Sequence, residues 1–191
     1  MNTPSHSVIN LWLLGLGKTP PVQMAVFIGS ILPDVPMFIF YFVEKFIYHT
    51  PEMQIWRQQY FLTHWQNFFD LFNSLPLIAL GFIVMAWKQS PVGMAFFASM
   101  ALHVFGDLPL HHDDGHHHFF PLSNWRFESP VSYWDPNHYG SIVAPIEVVV
   151  TIIGCIVLFP TYDSWLGKGA IATIGLLYAG FISYAVFAWG D

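Results

Sequence analysis

The sequence predicts an all-α, polytopic membrane bundle, and three observations carry that reading. Of the 191 residues, 54% are hydrophobic and only 9% are charged, where a soluble domain carries roughly a quarter charged residues. Apolar stretches recur along the chain, each about as long as the ~20 residues needed to cross ~30 Å of hydrocarbon. Between them lies one long polar connection, 111–140, crowded with histidine, aspartate and aromatic side chains. A loop of that length in a compact protein is functional or disordered, and Trp125, Phe127, Tyr133, Trp134 and Tyr139 favour order.

The N-terminal third does not read as a full span. Residues 7–16 and 22–32 are each too short to cross alone and are joined by Gly17-Lys18-Thr19-Pro20-Pro21. Two half-length helices about a Pro-Pro turn form a hairpin, which returns the chain at Asp34 to the level of His6. No basic residue precedes the first apolar run, so it does not read as a cleaved signal peptide. Pro33-Asp34 is either a plain turn before a helix over 35–48 or non-helical backbone lining a cavity. Residues 52–70 mix Gln54, Arg57 and Gln58 with Trp56, Phe61 and Trp65, a pattern suited to a helix lying at the interface.

Four full spans follow, at 70–87, 91–110, 141–159 and 170–189. No repeat or low-complexity linker divides the chain, so residues 1–191 read as a single membrane domain. The basic residues fall on both sides of these spans and leave the orientation open. Twelve acids against six bases give a net charge of −6, which argues against a nucleic-acid partner. The lone cysteine, Cys155, excludes an intrachain disulfide and any all-thiolate metal site.

The chemistry concentrates in residues 103–118, which hold six histidines and three aspartates. Imidazole nitrogen and carboxylate oxygen are ligands for zinc, manganese and iron. Beside hydrocarbon-seeking sequence such groups need a metal or a water-filled cavity to satisfy them. His103 and Asp107 are an i, i+4 pair on one helical face, able to hold one ion together or to bridge two. Counting spans gathers His64, His103, Asp107, the loop and Glu147 on one side of the membrane, and the hairpin adds His6 and Asp34. The expected ligands of a divalent ion, zinc first with manganese or iron as alternatives, are His6, Asp34, His64, His103, Asp107 and His112. His112 and Asp113 are the loop residues nearest the helix end, and one of them is expected to complete the shell or shuttle a proton. Glu147 is a proton acceptor or a tyrosine's partner, and Asp70 an acceptor that orients a histidine N–H.

An early His6, then Leu32-Pro33-Asp34, then His64 at the head of a helix, then His103-x-x-x-Asp107 resembles the bacterial inner-membrane metal-dependent hydrolases. That family is itself remotely similar to zinc-dependent phospholipase C. The resemblance covers roughly residues 1–125. The chain departs from it at Pro36, where the family often carries a second acid, and in its expanded His-rich loop. It implies an inner-membrane hydrolase using a metal-activated water. A site at headgroup depth makes a lipid phosphoester the natural substrate, with Arg126 able to meet a phosphate.

Two other classes stay open. One is a metal-handling membrane protein, although a carrier needs ligands on both faces. The other is a non-catalytic subunit or assembly factor with a structural metal, docking a protein partner through the aromatic loop 125–139.

Overall fold

The computed structural model describes the backbone of residues 1–189 and the side chains of residues 1–180. Among them the secondary structure is helical throughout, with no strand. The chain opens with α1 (Thr3–Asn10), extended by a π-helical turn at Leu11–Gly15. Gly17 adopts φ +68°, a left-handed conformation that glycine accepts at little cost, and turns the chain toward α2 (Pro20–Ile31). Pro20 starts that helix where its missing N–H is of no consequence.

Helix α2 does not stop where its length suggested. A 3-10 turn at Leu32–Asp34 leads directly into α3 (Val35–Phe42) and a π-helical turn at Val43–Ile47, so helical backbone runs unbroken over Pro20–Ile47. The expected half-length arm over 22–32 is therefore the lower part of a 28-residue helix. Pro33 and Pro36 each fall in a first helical turn, where no N–H is required. The groups they leave over are taken up locally. The Val35 N–H donates to the Leu32 carbonyl, and Asn73 Nδ2 donates to the Pro33 carbonyl at 3.2 Å.

The short α4 (Glu52–Arg57) and a 3-10 turn at Gln59–Phe61 precede α5 (Thr63–Phe72) and α6 (Leu75–Trp87). Ser74 separates the last two, capping α6 by accepting from the Leu77 N–H at 3.2 Å. Next come α7 (Pro91–Asp107), a long connection with one 3-10 turn at Pro136–His138, α8 (Gly140–Leu158) and α9 (Trp165–Trp189). Among the described residues, three helices are long and apolar enough to cross a membrane: Pro20–Ile47, Thr63–Trp87 and Gly140–Thr161. The span expected over 91–110 corresponds to the 17-residue α7, and the one over 170–189 lies inside α9, partly beyond the described side chains.

Outward faces carry large apolar side chains such as Phe42, Ile83, Ile146 and Ile156, as a bilayer requires. The interior at α1 is the reverse: Ser5, His6, Ser7 and Asn10 are all buried. Each finds a partner on a different helix. Ser5 Oγ donates to Glu147 Oε1 of α8 at 2.7 Å, and Ser7 Oγ accepts from Ser30 Oγ of α2 at 3.3 Å. Asn10 Nδ2 donates to the Ser99 carbonyl and hydroxyl of α7 at 2.8 and 2.9 Å. The sequence of α1 is polar because it is a plug among three other helices.

Helices α2 and α7 approach closely at Gly29, where a Cβ would overlap the carbonyl oxygen of Phe96. Backbone cannot move aside as a flexible side chain does. Gly29→Ala is therefore expected to destabilise the protein by about 1–3 kcal/mol, read as a lowered unfolding midpoint in detergent. An unchanged midpoint would show that the two helices are not held at this distance.

Candidate metal centre

Helix α7 presents His103 and Asp107 on one face, and α1 and the 3-10 turn at Leu32–Asp34 bring His6 and Asp34 against them. His6 Nε2 lies 2.9 Å from Asp107 Oδ1, and His103 Nε2 lies 3.0 Å from Asp107 Oδ2 and 3.4 Å from Asp34 Oδ1. The His6 and His103 rings stack with centroids 3.6 Å apart. One donor atom from each of His6, His103 and Asp107 falls within a 4.8 Å sphere of mutual distance, and all three side chains are buried. The amino group of Met1 also meets Asp107 Oδ1.

The decisive detail is the tautomer of His103. Its Nδ1 lies 2.7 Å from the Ser30 carbonyl oxygen, which can only accept, so Nδ1 carries the proton. In the neutral ring Nε2 then holds a lone pair, and that lone pair confronts two carboxylates. Although Nε2 is within ion-pair distance of both, it makes no hydrogen bond of acceptable geometry. A lone pair facing two carboxylates is repulsive unless a cation lies between them. Either a second proton on the ring or a metal ion satisfies the arrangement. An imidazole whose far N–H is held by a backbone carbonyl is the usual disposition of a metal-binding histidine. Asp34 is oriented similarly: Thr3 Oγ1 donates to its Oδ2 at 2.6 Å, leaving Oδ1 toward His103. The donor set of two imidazoles and two carboxylates fits a borderline divalent ion such as zinc.

Past the end of α7, a turn over 108–110 brings His111 back to Asp107. Its Nε2 lies 3.5 Å from Asp107 Oδ1 and its Nδ1 3.0 Å from Asp114 Oδ1. Burial alone would depress this ring, but the two carboxylates outweigh it and hold His111 at about 9. Farther along the loop Asp70 clamps His117, accepting from its backbone N–H at 2.8 Å and pairing with its Nδ1 at 2.6 Å. Asp70 thus pairs with a histidine ring, the kind of partner expected for it. The flanking rings His116 and His118 turn inward, and burial pushes each down to about 4.

The site opens into a cavity of about 720 Å³. Asp34, Asp107, His111, Asp114, His116 and Tyr133 supply its polar lining, and Met37, Phe38, Trp56 and Phe61 its apolar lining. Arg57 is the one guanidinium on its wall. The four lining aspartates, Asp34, Asp107, Asp113 and Asp114, outnumber Arg57, the Met1 amino group and the protonated His111, so the lining is net negative.

Not every expected residue joins the cluster. His64 is exposed, lies tilted against Trp65 and is absent from the cavity wall. His112 bonds the Ser129 carbonyl through Nδ1 at 2.7 Å and stacks on His138, facing away from Asp107. Asp113 is exposed on the cavity wall. Glu147 Oε1 accepts from Ser5, the Asn2 side chain and the Asn2 backbone, and so anchors α1. Arg126 donates to Gln66 and to the Asp113 carbonyl rather than facing the cavity. His111, Asp114, His116, His118 and Tyr133 were not singled out from sequence. For His111 the signal was present: residues 103, 107 and 111 repeat at i, i+4, i+8.

Compared with known protein families, curated proteins and solved structures, the chain matches none.

The depressed His116 and His118 make a pH prediction. Between the ordinary value of 6.5 and about 4 the unfolded chain takes up protons on these rings and the fold does not. Stability of the metal-free protein therefore falls as pH drops through that window, while His111, protonated in both states there, adds nothing. Imidazole nitrogen NMR shifts at about pH 5 should report both rings neutral, between the folded and unfolded values. Protonated rings at that pH would contradict the burial described.

Proposed function

We propose that this chain is an integral membrane protein that binds a divalent ion, zinc first, at His6, Asp34, His103 and Asp107. We further propose that it hydrolyses a phosphoester of a lipid or lipid-like molecule. The observation that carries the reading is His103, whose Nδ1 is held by the Ser30 carbonyl and whose Nε2 faces the buried Asp107 and the half-buried Asp34, two carboxylates on the wall of a cavity lined by both polar and apolar side chains.

In this topology α7 and α9 cross the membrane with the three long helices, and α1 enters from one side as a half-length helix beside α2. Helical rise supports a common depth for the polar groups. At 1.5 Å per residue, Asp34 stands ~21 Å along from Pro20, Asp107 ~24 Å from Pro91, and Glu147 ~21 Å from Thr161. In ~30 Å of hydrocarbon those levels approach one boundary, where headgroups lie. The resemblance to bacterial inner-membrane hydrolases makes the plasma membrane of a bacterium the proposed location.

A divalent ion supplies Lewis acidity toward a phosphoryl oxygen and lowers the pKa of water at the site. The protein's own residues do the rest. His103 and Asp107 hold the ion, with Ser30 fixing the ring and Thr3 fixing Asp34. Phe38, Trp56 and Phe61 offer surface to acyl or isoprenoid carbons, and Arg57 offers charge to the phosphate. The cavity's aspartates repel an anionic headgroup until a cation offsets them, which ties substrate binding to metal binding. Asp113, exposed on the same wall, is placed to accept the released proton.

Metal analysis of the purified protein should find stoichiometric zinc or a similar ion. Asp107→Asn should lower its content at least tenfold and cut hydrolysis of phospholipid or isoprenoid phosphate by orders of magnitude, with unchanged helical circular dichroism. Full metal content and activity in that variant would refute the site. A second reading, a non-catalytic subunit with a structural metal, draws on the exposed Leu122, Trp125 and Trp134 of the loop. It would prevail if the metal is bound and no phosphoester is cleaved, and the loop over 125–139 would then be where a protein partner docks.

A further inference from the structure

We infer that the loop builds a second ion site beside the first, with His111, His116 and His118 as imidazole donors and Asp107 shared between the two. The inference rests on the metal reading above through Asp107 and does not depend on the reaction.

The first reason is capacity. Zinc takes four ligands and can expand to five, and His6, Asp34, His103 and Asp107 together with a water already fill such a shell. Asp107 divides its oxygens: Oδ2 faces His103, while Oδ1 faces His6 and, at 3.5 Å, His111 Nε2. A carboxylate with donors gathered at both oxygens is disposed to bridge.

The second reason is an excess of buried nitrogen. Nδ1 of His116 and both nitrogens of His118 are buried and make no hydrogen bond, and His116 Nδ1 reaches a carboxylate only at 3.8 Å, from Asp70 Oδ1. Relative exposure is 8% for His116 and 2% for His118. Leaving such groups unmet is costly, and neither nitrogen of His118 has a hydrogen-bond partner among the described residues. His111 adds two nitrogens that face carboxylates at ion-pair distance, one of them the shared Asp107.

The third reason is how the loop is held. Asp70 grips the backbone and ring of His117, and the His118 carbonyl accepts from the Leu75 N–H at 2.9 Å. Gripping the middle of three consecutive histidines turns its two neighbours inward. Ring centroids of His111 and His116 are 6.3 Å apart, as are those of His116 and His118. Two imidazoles sharing an ion at bonds of about 2.0–2.1 Å have centroids roughly 5–6 Å apart, so each neighbouring pair has to draw in by up to about 1 Å to share an ion, whereas His6, His103 and Asp107 already lie within reach of one. An all-imidazole set with one carboxylate selects a borderline transition metal over magnesium or calcium.

The test uses the full chain in detergent, stripped of metal and titrated with cobalt(II), whose visible absorption reports tetrahedral binding. The wild-type protein should saturate at two equivalents. His116→Ala combined with His118→Ala should leave one, and His118→Gln should weaken the second step at least tenfold even if the double variant does not fold. Saturation at one equivalent that His103→Ala abolishes would overturn this inference and leave the first site standing. Wild-type stoichiometry in the folded double variant would overturn it as well. No bound cobalt at all would remove both this site and the metal reading it rests on.

Discussion

A carboxylate buried among hydrocarbon-seeking helices has to be met by positive charge or by proton donors, and Asp107 sets that requirement for this protein. It is 4% exposed. Its neighbours are imidazoles from three different parts of the chain: His6 of α1, His103 of its own helix and His111 of the loop. The cost of an unpaired buried charge is several kcal/mol even after relaxation. The helices are therefore not free to pack by apolar shape alone. They must pack so that these groups converge.

That constraint explains features that look anomalous in a membrane protein. Helix α1 is rich in Ser, His and Asn, yet it is the most enclosed element, because each polar side chain answers one on α2, α7 or α8. The irregular backbone has the same logic. The 3-10 turn at Leu32–Asp34 exposes Asp34 to His103, and the break at Asn73-Ser74 lets Asn73 serve the carbonyl of Pro33. Helix α2 contributes its Ser30 carbonyl not to a further turn alone but to the proton on His103 Nδ1. Breaks in regular structure at membrane depth are tolerated where protein groups use them, and here they line the polar site.

How much of this was legible in the sequence follows from the range of the interactions. Helical membrane character came from composition, which needs no tertiary information. The pairing of His103 with Asp107 came from the four-residue period of one helix, and the return of the N-terminus toward Asp34 from a proline turn. Thr3 rather than His6 bonds Asp34, and His6 instead stacks on His103 one layer away. Beyond one helix the signal weakened. The sequence pointed to His112, but the turn over 108–110 that follows Asp107 delivers His111 to the site instead. His64 heads a helix yet faces outward, a rotation its sequence neighbours do not encode. The continuity of Pro20–Ile47 was hidden because proline reads as a terminator, although at the first turn of a helix it is harmless. The Asp70–His117 clamp, which decides which loop histidines turn inward, joins residues 47 positions apart.

The central claim is that His103 Nε2 is a metal ligand rather than a protonated partner of two aspartates. X-ray absorption at the metal edge of the purified, stoichiometrically loaded protein tests it most directly. The account predicts a first shell of nitrogen and oxygen at about 2.0–2.1 Å, with the outer-shell scattering of imidazole rings that diminishes in His103→Ala. A shell of oxygen alone, or a spectrum that His103→Ala leaves unchanged, would contradict it.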